Sequence, residues 1–410
     1  MSGSKLTAFL AAGLIAFSGI SLAVPSEAFS VAAAEANGFT YTAENGKAVI
    51  TGCSKPSGTL TIPSSVGGNT VTAVGEKAFA GCSEIEKLII PDGVTAVENG
   101  AFSNCTSLKS VEIGSGLSSI GIYAFGACSE LSQISVSSGN KSFSSKQNML
   151  LSKDGKYLIQ YAGSSSAVSL PSIEGISAGA FFGRCDIHSV NIPSTVTEIE
   201  EFAFSGCMNL EKIVIPGSVS ELGKACFMNC TGLVSAEIQK GSATTVPKQY
   251  FSMCSSLSEI ILPEGIKQIG VEAFFGCPSL KEIHIPDSVT AISENAIGKY
   301  YDLRTSENAV YSTAFISGSE NSAAQKYADA NGIRFYSVKN IILGDTDLSG
   351  YVDASDASFA LSEYANSATG GASLLTYTQK LCADYDKSGT VDASDASLIL
   401  AEYARRATTK

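Results

Sequence analysis

Tryptophan is absent from the 410 residues, histidine occurs twice, and charged residues make up only 16% of the chain. Without an indole, a flat aromatic platform for sugar rings is not expected. His188 and His284 are thin material for serine–histidine–acid catalysis. Neither stands at ligand spacing from a cysteine pair, so a zinc centre is not expected either. Basic residues are outnumbered 27 to 39, for a net charge of −12. A nucleic-acid reader usually carries a basic face, and none is visible. Beyond the N-terminus no segment approaches the ~20 apolar residues of a membrane span.

What is present begins with an export pattern. Lys5 precedes an apolar stretch at 6–24, and Ser26-Glu27-Ala28 offers small residues at the positions a signal peptidase reads. Pro25 and the small residues at 31–36 favour cleavage after Ala28, or as late as residue 36; the alternative is a retained anchor. The mature chain is then expected to be secreted and extracellular. Hydrophobic residues reach 44%, enough for a folded body, and the length suggests more than one unit.

Internal repetition organises that body. Phenylalanine followed by Cys recurs at Phe79/Cys82, Phe102/Cys105, Phe125/Cys128, Phe181/Cys185, Phe204/Cys207, Phe227/Cys230, Phe251/Cys254 and Phe274/Cys277, with Ala before the ring in all but Phe227 and Phe251 and a worn copy at Ala296-Ile297. Successive steps are 23, 23, 56, 23, 23, 24, 23 and 23 residues, the long one being a period plus 33. Each copy also holds an alternating apolar strand, ended in several of them by proline, as in Ile213-Val214-Ile215-Pro216. One copy cannot bury its apolar face alone, so copies must stack. Stacking sets the eight cysteines in a column about 5 Å apart. That spacing alone permits disulfides, yet a column of small apolar fillers needs no bonding, and buried thiols are expected rather than disulfides. Cys226 and Cys382 lie off the column.

This pattern resembles the BspA-type leucine-rich repeat over residues 38–338. The resemblance implies a mainly β solenoid, with a family-type insertion at 137–171 and a closing unit at 315–338. Within the insertion, LLSKDGKYLIQY reads as a hairpin turning at Asp154-Gly155. A helix at about 322–331, ended by Gly332, is expected to cover the open end. The solenoid domain is assigned to 37–338, followed by a linker at 339–343.

From Gly344 the text changes. Asp345, Asp347, Ser349, the Tyr351 carbonyl, Asp353 and Asp356 stand at positions 1, 3, 5, 7, 9 and 12 of a twelve-residue loop with Gly350 at 6. Thirty-nine residues later Asp384, Asp386, Ser388, Thr390, Asp392 and Asp395 repeat the text. Hard oxygen ligands at these intervals form a calcium loop. Like charges 4 Å apart repel by roughly 4 kcal/mol at an effective dielectric near 20, so closure should be coupled to cation binding. The loops depart from the EF-hand: a serine stands at 5, an aspartate at 12, and Asp353 and Asp392 can cap helices running to about 365 and 406.

The duplicated loop and helix at 344–410 resemble the dockerin module of cellulosomal proteins, a small all-α calcium-binding domain. The resemblance implies two calcium ions and a cohesin partner on a scaffold. Residues matching the cohesin-contacting positions are Ala354, Ser355, Ala393 and Ser394, identical in the two halves, which implies docking in either of two orientations. The family's mid-helix Lys/Arg are missing, and only Arg405 and Arg406 supply charge nearby. Leu361, Leu400, Tyr364 and Tyr403 can face the partner or fill the core between helices.

Nearly every residue of 38–338 belongs to a repeat, the insertion or the cap, leaving no room for an active site, and catalytic residues are not expected. Outward strand positions form two rows, from Lys87 to Glu282 and from Ile89 to His284; Glu259 and Glu282 are expected on a solvated face. The chain thus reads as a secreted, scaffold- or cell-surface-associated binding protein. Its tail docks to cohesin through calcium, and its solenoid faces a protein or cell-surface ligand. The alternative is a carbohydrate-active enzyme with a site in the insertion.

Overall fold

The computed structural model describes residues 34–371 and 373–408, so the expected leader at 1–28 lies outside the described residues. Each repeat lays two short strands into two parallel rows. The first row runs from Gly58–Thr61 through Ile85–Ile90 and Ser110–Ile113 to Gln133–Val136. It resumes at Ala167–Ser169 and continues through Ser189–Asn191, Lys212–Ile215 and Ser235–Ile238 to Glu259–Ile261. Glu282–His284 follows and pairs with Phe315–Gly318. The second row consists mostly of two-residue strands such as Glu198–Ile199 and Gln268–Ile269. Register follows the sequence period, with Lys87 on Ser110 on Gln133 and Lys212 on Ser235 on Glu259. A one-residue slip would turn Leu88, Val111 and Ile213 from core to solvent, and this burial fixes the register.

A third ladder joins the turns around each phenylalanine. Phe79 N–H donates to the Ala101 carbonyl, Phe102 to Ala124 and Phe274 to Ala296, each at 2.8 Å. The residue two before each ring is left-handed to permit this, with φ of 54° at Lys77, 57° at Phe202 and 55° at Glu272. Side chains in that region cost about 1–2 kcal/mol apiece, which the neighbouring ladder bonds offset. The rings stack within 15° of parallel at 4.7 to 5.8 Å.

All eleven cysteines are free thiols. Six donate Sγ–H to the phenylalanine carbonyl of the preceding repeat, as Cys230 does to Phe204 at 3.2 Å and Cys254 to Phe227 at 3.1 Å. The column is thus a hydrogen-bonded ladder as well as apolar filler. Its Cys185 member is displaced. Phe181 is separated from Cys185 by one residue more than in other copies, and Arg184 takes the ladder position. Arg184 is 1% exposed. It donates to the carbonyls of Leu131, Tyr161 and Gly163 and forms two bonds of 2.8 and 2.9 Å with Asp186. One side chain therefore stitches the repeat before the insertion, the insertion and the repeat after it.

The insertion forms antiparallel strands Phe143–Lys146, Met149–Ser152 and Tyr157–Tyr161, the hairpin turning at Asp154-Gly155 as expected. Leu150 feeds the core on the N-terminal side, and Met149 and Leu151 feed the other. Tyr161 stands in for the missing ring, 5.2 Å from Phe181, with its N–H on the Ala180 carbonyl.

Both ends of the solenoid are closed. Strands Ala34–Ala36, Phe39–Glu44 and Lys47–Cys53 form an antiparallel start. At the far end, helix α1 (Ala323–Asn331) is capped by Ser322 and stopped by Gly332 at φ 66°. A hairpin of Lys299–Asp302 and Glu307–Val310 precedes it.

The C-terminal module contains α2 (Ala354–Ala368), α3 (Tyr377–Ala383) and α4 (Ala393–Thr408). Helices α2 and α4 extend slightly beyond their expected ends, and α3 was not foreseen. Their own core comprises Val352, Ala357, Ala360, Leu375, Ala383, Ala396 and Ile399. Leu361, Leu400, Tyr364 and Tyr403 lie outside it and are 41 to 45% exposed, because small alanines bring the helices together instead. The stretch 339–343 is not a free tether: Val338–Asn340 is a short 3-10 turn and Ile342 packs on the module core.

Candidate functional site

In the C-terminal loops, carboxylate oxygens of Asp345, Asp347 and Asp356 lie within 4.8 Å of one another, as do those of Asp384, Asp386 and Asp395. The backbone creates this convergence. Asp345 accepts the N–H groups of Ser349 and Gly350, each at 2.9 Å, and Asp384 accepts those of Ser388 and Gly389. Gly350 and Gly389 hold φ of 92° and 90°, a conformation glycine adopts without a side-chain penalty. Asp356 accepts from Asp347 N–H at 3.0 Å and Asp353 N–H at 2.7 Å, tying the loop's end to its start.

Ser349 and Ser388 hydroxyls face the Tyr351 and Thr390 carbonyls at 3.3 and 3.1 Å, bringing positions 5 and 7 together. Asp353 and Asp392 stand apart from the triads. They accept from Ser355 and Ser394 N–H, as helix caps do. Burial pushes the Asp345 and Asp356 carboxyls upward, backbone N–H bonds oppose this, and nearby aspartates add to the rise. A buried, mutually repelling set of hard oxygens suits a hard divalent cation.

The outer faces of α2 and α4 carry matching residues. Ala354, Ser355, Ala393 and Ser394 are exposed, as are the apolar pairs Leu361/Leu400 and Tyr364/Tyr403. Arg405 and Arg406 both bind Glu402 at 2.7 Å, and these bonds lower the Glu402 carboxyl to about 2. Its counterpart in the first half, Glu363, is buried and closes the loop before α3 by accepting from Ser373 and Leu374. The halves are therefore alike outside and different within.

On the solenoid the outward rows fall where their spacing placed them, with Ile261 50% exposed. The last members do not face solvent. Glu282 is 6% exposed, since Thr378 of α3 donates its N–H (3.1 and 3.0 Å) and its hydroxyl to that carboxylate. Lys380 pairs with Glu259 at 2.8 Å, and Tyr377 stacks on His284 with ring centres 3.9 Å apart. The expectation of a solvated Glu282 is thus overturned by α3, whose position no local pattern announces. His188 is exposed, with its ring facing the Asp186 carbonyl.

Burial depresses the His284 imidazole, against the upward pull of Glu282, Asp287 and Glu264. A depressed folded value means the unfolded chain takes up the proton first as pH falls below about 6.5. This contribution is therefore intact above that value and lost below it. Thermal melts from pH 7.5 to 5 should show the wild type losing more stability than His284→Phe, which keeps the ring stack. Parallel curves would refute this.

Two parallel strand rows, a stacked aromatic column and closed ends define a leucine-rich-repeat solenoid, here followed by a helical module with two acidic loops. The family model for the BspA type leucine rich repeat region matches six copies at residues 57–149 and 174–304, more than half of the chain. The chain belongs to that family.

No curated protein matches it. Among solved structures it is similar to a leucine-rich repeat protein from Eubacterium ventriosum, at 20% identity and TM-score 0.43, covering 63% of this chain and 93% of that one. It is also similar to a leucine rich cell surface protein from Faecalibacterium prausnitzii, at 20% identity and TM-score 0.37, covering 75% and 95%. A third is the pneumococcal vaccine antigen PcpA, at 16% identity and TM-score 0.32, covering 75% and 98%. Among the described residues no helix is long and apolar enough to cross a membrane.

Proposed function

We propose that the chain is a secreted, non-catalytic binding protein whose C-terminal module is a calcium-dependent dockerin for a cohesin-bearing scaffold. The single observation carrying this reading is the duplication of the acidic triads, Asp345/Asp347/Asp356 and Asp384/Asp386/Asp395, in loops of the same backbone form. Calcium would be held by these carboxylates with Ser349 or Ser388 and the Tyr351 or Thr390 carbonyl, and Asp353 and Asp392 would act through a water. The bound ion supplies positive charge that cancels the repulsion within each loop and orders the helix behind it.

The partner-facing surface is the outer side of α2 and α4, with Ala354-Ser355, Ala393-Ser394 and the exposed leucines and tyrosines. Their likeness across the two halves supports docking in either orientation. Arg405 and Arg406 contribute a charged end, already ordered by Glu402. The solenoid presents its outward rows as a recognition or adhesion face for a protein or cell-surface ligand, a common use of such surfaces. Secretion and scaffold or cell-surface association follow from this reading.

Calorimetry of the full chain against a panel of cohesins decides the matter. Binding is expected in millimolar calcium and should disappear after EGTA. Capture of a cohesin that persists with all divalent ions removed would overturn the proposal, as would failure to bind any cohesin in calcium.

A further inference from the structure

We infer that α3 is a latch that closes the C-terminal end of the solenoid's strand face, and that ion loading of the module tightens it. This rests on the calcium reading above and goes beyond it. In the first strand row, the side chains before Glu259 face outward, whereas Glu282 is buried with its carboxylate filled by the N–H and hydroxyl of Thr378. Lys380 on Glu259 and Tyr377 on His284 hold the same helix to the same face.

Helix α3 is also tied to both acidic loops. Asp384, the first carboxylate of the second loop, is its C-terminal cap and donates its N–H to the Lys380 carbonyl at 2.9 Å. The Cys382 carbonyl accepts from Gly344, the residue before Asp345, at 2.8 Å. The helix therefore cannot move off Glu282 without disturbing the start of each loop.

A divalent cation that orders either loop therefore fixes the C-terminal end of this helix and favours the closed arrangement. Linkage is reciprocal, so closure must raise cation affinity by the same factor.

The test strips the full chain with EGTA and titrates calcium by calorimetry. Hydrogen exchange is followed in peptides spanning 281–285 and 376–383. Two variants are compared, Glu282→Ala and the double variant Tyr377→Ala/Lys380→Ala; the latter changes only partly exposed side chains and should not unfold a core. In the wild type, calcium should slow exchange in both peptides. Both variants should bind calcium about tenfold more weakly, within the usual range of intersite coupling, and lose the calcium-dependent protection at 281–285. Wild-type affinity in both variants, or wild-type exchange at 281–285 that calcium leaves unchanged, overturns the latch while the metal reading stands. A wild-type chain that takes up no calcium overturns both.

Discussion

Phe204→Ala is expected to cost about 3–5 kcal/mol, the usual loss for emptying a fully buried aromatic site. Phe204 sits mid-column, 4.7 Å from Phe181 and 5.1 Å from Phe227, so its removal strips a stacking partner from both neighbours. The cavity cannot readily collapse, because the backbone on each side is pinned by ladder bonds, Phe181 to Ala203 at 2.8 Å and Phe204 to Cys226 at 2.9 Å. A urea titration followed by circular dichroism should show a lower midpoint with the strand signal at zero denaturant retained. Phe204→Leu, which keeps most of the volume, should recover over half of the loss. A loss under about 1 kcal/mol for the alanine variant would mean that the column is not a unit of the fold.

The second large effect belongs to Asp186→Ala. Arg184 is buried at the break between the two blocks of repeats, and Asp186 is its counter-charge. Removing one partner of a buried pair leaves an uncompensated charge and typically costs about 3–5 kcal/mol. Asp186 is 31% exposed, so water can enter the space it leaves and the low end, about 3 kcal/mol, is expected. Asp186→Asn retains an acceptor for the guanidinium and should lose less. The measurement is again the denaturation midpoint, with exchange at 131–136 and 161–163 reporting whether the three stitched segments loosen together. Undisturbed exchange there would show that the three carbonyls alone hold Arg184.

How much of this was legible depends on whether a feature repeats. The strand rows could be drawn from the sequence because a 23-residue step returns the same alternation, and burial of one face fixes register. The acidic loops were legible for a related reason, since the text of Asp345–Asp356 returns at Asp384–Asp395. The left-handed residues were not legible: Lys77, Phe202 and Glu272 carry no glycine signature, and only the turn ladder holds them in that region. Arg184 had a signal that went unread, the extra residue between Phe181 and Cys185. Counting that step would have moved Cys185 off the column and placed a charge in the core.

Glu282 is the opposite case. Its local text, Ile283-His284-Ile285-Pro286, keeps the apolar alternation of the other repeats and marks it as solvent-facing. It is covered by a helix almost a hundred residues further along the chain, and nothing near either segment announces the meeting. The exposure of Leu361 and Tyr364 is similar in kind. Their helical spacing suits a core, yet Ala357 and Ala360 bring the helices into contact first.

The period, the inward and outward faces, the cysteine column and the two oxygen-rich loops were determined by the amino-acid order alone, because each depends on neighbours within one repeat or on the same position in the next. The tertiary structure alone decided which outward residues remain free, where the buried charge is compensated and how the tail meets the solenoid. Those outcomes depend on contacts between segments of unrelated text, for which no local preference exists.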